Sequence, residues 1–256
     1  MTVPFINVTA LLIDGEQWAG MAVIKAIVFD KDGTLFDFDA TWGGWSRGFI
    51  AAEAGGDPDL TGRLAEALGY DLAKNAFLPQ SIVIAATTDK VADAILPLLP
   101  GHSKTALLAR MDARAIAADQ IEVTPLIPLL AGLRARGLRL GVATNDTEAP
   151  ARAHLDAADV TGLFDFIAGF DSGYGGKPAP GQLLGFAAAM DVPPAQCAMV
   201  GDSLHDLTAA RAAGMVAVAV LTGIAGRDDL TPYADVVLES VADLPGWLDS
   251  GAQNRA

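Results

Sequence analysis

The chain has 256 residues, 52% apolar and 19% charged, with a mean hydropathy of +0.35. That excludes intrinsic disorder, which needs low hydropathy and dense charge, and at roughly 150 residues per domain it allows one or two domains. The formal net charge of −14 describes a surface that repels phosphate backbones and anionic lipid, so neither nucleic acid nor a membrane is an expected partner.

Residues 1–20 read as an N-terminal extension. Phe5 to Ile13 is strand-like and Asp14-Gly15 is a turn signal, while Met21 opens a second apolar run and could equally be the natural start. No basic region precedes the first apolar run, and Asp14 and Glu16 interrupt it, so no signal peptide is expected. The longest uncharged stretch, Ala212 to Gly226, is 15 residues with three glycines, too short for a helical span. Cys197 is the lone cysteine, which rules out an internal disulfide and fits a reducing cytoplasm.

Ile24 to Phe29 reads as a short buried strand with Asp30-Lys31-Asp32-Gly33-Thr34 at its C-terminal end. Residues 38–120 then break the rhythm. They are rich in Ala, Leu and Gly and read as helix, with boundaries at Asp57-Pro58 and Leu99-Pro100-Gly101. Ser81 to Ala86 could be a strand or buried helix.

Beyond 120 the pattern alternates. Strands are expected at Leu138 to Ala143, Phe166 to Ala168, Cys197 to Val200, Met215 to Leu221 and Val236 to Leu238, with helices near 125–136, 147–158, 180–190 and 204–213. Such alternation predicts an α/β fold with a doubly wound parallel sheet. The expected division is a core of 21–37 plus 121–256, with 38–120 inserted as a helical cap. An insertion after the first strand lies over that strand's C-terminal end, where open α/β sheets bind ligands.

Four chemically complementary pieces fall at strand ends. Asp30 and Asp32 are two apart, so both carboxylates can lean into one cleft. Gly33 supplies a turn whose bare N–H groups can form an anion nest. Thr144, with neighbouring N–H groups, can hold a phosphate oxygen just before a helix. Lys177, on a loop with Gly173, Gly175, Gly176 and Pro178, is a point charge for an anion. Asp202 and Asp206 are four apart at a strand–helix junction and suit Mg²⁺, which takes one or two carboxylates plus phosphate and water. Singly each has an ordinary structural explanation: a surface pair, an N-cap, a loop lysine, helix N-terminal charges. Together they indicate one catalytic cleft.

These pieces, Asp30-Lys31-Asp32-Gly33-Thr34-Leu35, Thr144-Asn145-Asp146, Gly176-Lys177-Pro178 and Gly201-Asp202-Ser203-Leu204-His205-Asp206, resemble the motifs of the haloacid dehalogenase (HAD) superfamily. Within it, phosphatases related to phosphoglycolate phosphatase are most similar. The resemblance covers 24–36 and about 121–240 well, and 38–120 only as a helical cap in the right place. It implies a Rossmann-like HAD core, a cytoplasmic Mg²⁺-dependent phosphomonoesterase and a small phosphorylated metabolite as partner. No heptad or unusual stripe chooses between a monomer and a homodimer.

The resemblance also implies residue roles. Asp30 is the nucleophile that forms an aspartyl-phosphate, and Asp32 is the acid and then the base. Thr144 and Lys177 hold the phosphoryl group, with Lys31, Gly33 and Asn145 beside them. The metal falls to Asp30, Asp32 through its carbonyl, Asp202 and Asp206. An acid at Asp32 counts against a dehalogenase and a phosphonate hydrolase. A sugar-phosphate mutase or a phospho-accepting regulatory domain are the competing readings.

Other residues carry weaker expectations. Trp42 and Trp45 read as packing between cap and core, and His205 as a helix-face residue rather than a ligand. Cys197 reads as an inert small hydrophobe, and His154 has no visible partner. Arg47, Arg63, Lys74, Lys90, His102 and Lys104 are candidate anion readers in the cap.

Overall fold

A computed structural model describes residues 23–78 and 80–250. The expectations for residues 1–20 and Met21 lie outside the described residues. In chain order the strands are β1 (Ala26–Phe29), β2 (Tyr70–Asp71), β3 (Ala76–Phe77), β4 (Arg139–Ala143), β5 (Phe166–Ala168), β6 (Cys197–Gly201), β7 (Val216–Val220) and β8 (Val236–Leu238). Six of them form one parallel sheet in the order β5-β4-β1-β6-β7-β8.

β1 is central and buried throughout, as a continuous apolar run in a parallel sheet must be. Its alternate side chains feed two cores. Ile27 and Phe29 pack with helices α5 (Leu126–Ala135), α6 (Glu148–Ala157) and α10 (Leu244–Asp249), through Leu130, Leu155 and Trp247. Ala26 and Val28 pack on the other face with α7 (Gly181–Met190) and α8 (Leu204–Ala213), through Phe186 and Leu207. Each fully buried Leu or Phe contributes about 1.5–3 kcal/mol, so a sheet covered on both faces is well anchored. The chain runs outward from β1 in both directions, which places a topological switch point at its C-terminal end.

The insertion between β1 and α5 has its own apolar cluster, including Phe49, Ile50, Leu64, Leu68, Ile95 and Leu107. Its helices are α1 (Gly44–Ala54), α2 (Pro58–Leu68), α3 (Thr88–Ile95) and α4 (Lys104–Ile116). The expected break at Asp57-Pro58 is an N-cap: Asp57 Oδ1 accepts from the Asp59 and Leu60 N–H groups, with Pro58 at the first helical position. The break near Leu99-Pro100-Gly101 separates α3 and a short 3-10 turn from α4.

Two details differ from expectation. Residues 81–86 are neither strand nor helix. Ser81 Oγ donates to Leu68 O at 2.6 Å and accepts from Val83 N–H, so local side-chain bonds replace a ladder. The β2–β3 hairpin was not anticipated, because two residues per strand leave no periodicity to read.

Candidate active site

Three strand ends and one loop converge under the insertion. β1 delivers Asp30 and Asp32, and β4 delivers Thr144. The loop after β5 brings Lys177, and β6 leads into Asp202 and Asp206. All six side chains line one cavity. Asp206 is placed by a capping box at the start of α8. The Ser203 hydroxyl accepts from the Asp206 N–H, and Asp206 Oδ2 accepts from Ser203 N–H and Oγ–H.

Lys177 Nζ donates to Asp30 Oδ1 at 2.6 Å and to Asp206 Oδ1 at 2.7 Å, with only 3% of its side chain exposed. Burial alone would lower its pKa, but Asp206 and Asp30 together outweigh that and hold it firmly protonated. Burial pushes Asp30 up to about 7 against the pull of Lys177. Burial, with Asp30 and Asp206 nearby, also raises Asp202 well above the ordinary range. One lysine therefore cannot neutralise this carboxylate group.

Oxygen atoms of Asp30, Asp202 and Asp206 lie within 4.8 Å of one another. A buried, under-neutralised set of hard oxygen donors fits Mg²⁺ on chemical grounds. Asp202 Oδ1 also accepts from Thr34 Oγ–H. Gly33, at φ 76°, and Gly223 both pack so closely on Asp202 that a Cβ at either would overlap its carboxylate. Thr222 Oγ–H donates to Gly33 O, tying the loop after β7 to this turn. Thr222 and Gly223 carry no sequence signal for such a part.

The residues expected around a phosphate make the following contacts. Lys31 is fully buried, and its Nζ lies 2.6 Å from Asp32 Oδ1, 2.9 Å from His154 Nδ1 and 3.6 Å from Asp146 Oδ2. Gly33 N–H is already donated to Phe36 O, so the expected nest loses that donor. The Asn145 amide is spent on structure, donating to Ala85 O and Lys177 O and accepting from Lys177 N–H. Thr144 keeps its potential: Oγ1 accepts from Asp146 N–H, which leaves the hydroxyl proton to donate elsewhere. Asp32 lines the cavity, but its carboxylate is outside the three-carboxylate group and is fixed by Lys31.

His154 is not partnerless. An ammonium only donates, so Nδ1 accepts from Lys31 and the Nε2–H donates to Ala115 O at 2.6 Å. Burial, then Lys31, lowers its pKa to about 4 and keeps the ring neutral. Asp146, raised to about 7 by burial, completes this cluster. Sequence reasoning missed it because Lys31 and His154 are 123 positions apart.

Trp42 and Trp45 pack edge to face at 5.4 Å and also line the cavity, so packing and cavity wall coincide. His205 lies on the wall too, half-buried, with burial lowering its pKa. Cys197 is buried in β6, its thiol pushed up to about 11 by burial.

The insertion is latched to the core beside the site. Thr147 Oγ–H donates to Asp112 Oδ1 at 2.7 Å, alongside the Asn145–Ala85 and His154–Ala115 bonds. Among the described residues no helix is long and apolar enough to cross a membrane.

A doubly wound core with carboxylates, a threonine and a lysine at adjoining strand ends defines a hydrolase of known type. The haloacid dehalogenase-like hydrolase family profile matches residues 24–214, and the chain belongs to that family. It is similar to hexitol phosphatase B of Escherichia coli K12, at 28% identity over 86% of this chain and 94% of that one. It is also similar to phosphoglycolate phosphatase of Rhodospirillum rubrum, at 36% identity over 48% of this chain; that match spans about half (51%) of the relative's length. Among solved structures, CbbY from Rhodobacter sphaeroides in complex with phosphate superposes with a TM-score of 0.64 at 25% identity, covering 87% and 96% of the two chains. β-Phosphoglucomutase from Clostridium difficile gives 0.66 at 19% identity over 91% and 98%, a likeness of fold.

Proposed function

We propose that this hydrolase is a Mg²⁺-dependent phosphomonoesterase acting on a small phosphorylated metabolite through an aspartyl-phosphate. The observation that carries the reading is that two carboxylates of one loop have different neighbours. Asp30 sits against Lys177 and the Asp202–Asp206 group, while Asp32 is held apart by Lys31.

The Asp30 carboxylate attacks phosphorus as the ester P–O bond breaks. Asp32 gives its proton to the departing alcohol oxygen. It then takes a proton from a water that attacks the aspartyl-phosphate, and the new P–O bond displaces Asp30. Lys177 and the Thr144 hydroxyl bind the phosphoryl oxygens and offset their charge. Asp30, Asp202 and the Asp32 carbonyl, supported by Asp206, would hold Mg²⁺, whose contribution is charge neutralisation and Lewis acidity. Residues 38–120 act as the cap, closing the cleft against water and large substrates. A core of 21–37 plus 121–256 carries the chemistry.

The test is phosphate release from a panel of phosphomonoesters, with and without Mg²⁺, for the wild type and Asp30→Asn. Repeated metal-dependent turnover that the variant lacks is expected. Uptake of one covalent phosphoryl group without release would move the chain to the phospho-accepting regulatory class. Transfer of phosphate between positions of a sugar, without net release, would make it a mutase.

A further inference from the structure

We propose that the alcohol part of the ester is an uncharged, predominantly apolar group, bound against the wall that the insertion supplies. This deepens the phosphomonoesterase reading and rests on it. The floor of the cavity is polar, but the side facing it is Phe38, Trp42, Trp45, Val83, Ile84 and Met111. Among the described residues, Lys177 is the only lysine or arginine on the cavity wall, and it is already held between Asp30 and Asp206.

None of the insertion's expected anion readers lines the cavity. Lys74 pairs with Asp71, Lys104 with Asp89 and Asp93, and His102 with Arg110 and Glu53. Arg47, Arg63 and Lys90 are also off the wall. His205 is the remaining basic side chain there and is half-buried.

A carboxylate on the alcohol would therefore enter a cavity that already holds Asp32, Asp112 and Asp146, with no lysine or arginine on its wall besides Lys177. A polyol fares little better. Away from the floor the polar side chains its hydroxyls meet are Thr88, Asp112 and His205, and Asp112 Oδ1 already accepts from Thr147. Hydroxyls without partners oppose binding, whereas methylene or aromatic surface placed against Trp42, Trp45 and Ile84 favours it.

The test compares kcat/KM with Mg²⁺ for n-hexyl phosphate, benzyl phosphate, phosphoglycolate and a hexitol phosphate. In all four the ester oxygen is carried by a saturated carbon, which limits differences in leaving-group acidity. The two apolar esters are expected to exceed the other two by about tenfold or more. A second variant, Ile84→Arg, lies in a half-buried turn outside any helix or strand and tests the wall itself. It should lower kcat/KM for n-hexyl phosphate about tenfold and raise it for phosphoglycolate. Quenching of tryptophan emission by n-hexyl phosphate in Asp30→Asn, weakened when Trp42→Phe is added, reads binding without turnover.

If phosphoglycolate or the hexitol phosphate is the best wild-type substrate, the apolar inference is overturned and the phosphatase reading stands. An Ile84→Arg variant with unchanged preference overturns the placement of the alcohol against this wall. If none of the four esters is hydrolysed, the apolar inference falls, and the phosphatase reading is decided by the wider panel.

Discussion

The strand ends beneath the cavity and the inserted segments above it use buried chemistry in different ways. Below, charged groups are crowded and held in place. Lys177 bridges two carboxylates, Asp206 closes a capping box, and Gly33 and Gly223 leave room only for the Asp202 carboxylate. Above, Val83 and Ile84 occupy a turn fixed by Ser81, and the wall is largely apolar surface. A charged site must be over-determined, because an unpaired buried charge is costly. An apolar wall needs only shape and can change without disturbing the chemistry.

The largest effect should come from the floor. Asp30→Asn replaces the nucleophile with an amide and should cost at least about a thousandfold in kcat while the fold survives. Wild-type turnover in that variant would falsify the mechanism. Lys177→Met strands Asp30 and Asp206 together in a buried place, and should cost about 3–5 kcal/mol in urea unfolding as well as activity. Unchanged stability would mean that the pair is solvated and the floor less rigid than described.

Protons sharpen the contrast further. The folded pKa values of Asp30 and Asp146 rise from 3.8 to about 7, and that of Asp202 rises well above 3.8. A carboxyl raised by folding stabilises the fold most when protonated. That contribution is complete below the unfolded value of 3.8 and is lost as pH rises through about 7. His154 opposes this: lowered from 6.5 to about 4, it favours the fold above 6.5 and loses that as pH falls towards 4. Three carboxyls outweigh one imidazole. The metal-free protein should therefore melt roughly 5 °C higher near about pH 5.5 than near about pH 8, and Mg²⁺ should raise Tm more at the higher pH. Thermal melts in the reverse order would show that Lys177 and Lys31 keep these acids ionised.

The smallest expected effect lies at the seam between floor and wall. Asn145→Ala removes the bonds to Ala85 and Lys177, each worth about 1 kcal/mol. It should speed hydrogen exchange through residues 82–86 more than in β1. Equal protection in variant and wild type would remove Asn145 as the latch.

How much was legible follows from the same contrast. The alternating strands and helices beyond residue 120, and β1 itself, could be read because each is a run of apolar residues with its own period. That Asp30, Asp32, Thr144, Lys177, Asp202 and Asp206 would meet at one cavity was legible because each follows such a run, and parallel strands put their ends together. The β2–β3 hairpin and the turn at 81–86 were not. Their geometry rests on two-residue pairings and on single bonds such as Ser81 to Leu68.

By itself, then, the sequence determined the doubly wound sheet and the residues that meet at its switch point, since both follow from local pattern and strand direction. The tertiary structure decided what those residues touch. Only in three dimensions does the Lys31 side chain meet Asp32, His154 and Asp146, and that of Asn145 the insertion. Only there do the insertion's basic side chains stay off the cavity wall. Such choices depend on contacts between residues far apart in the chain, where burial and pairing of charge, rather than local preference, set the direction of each side chain.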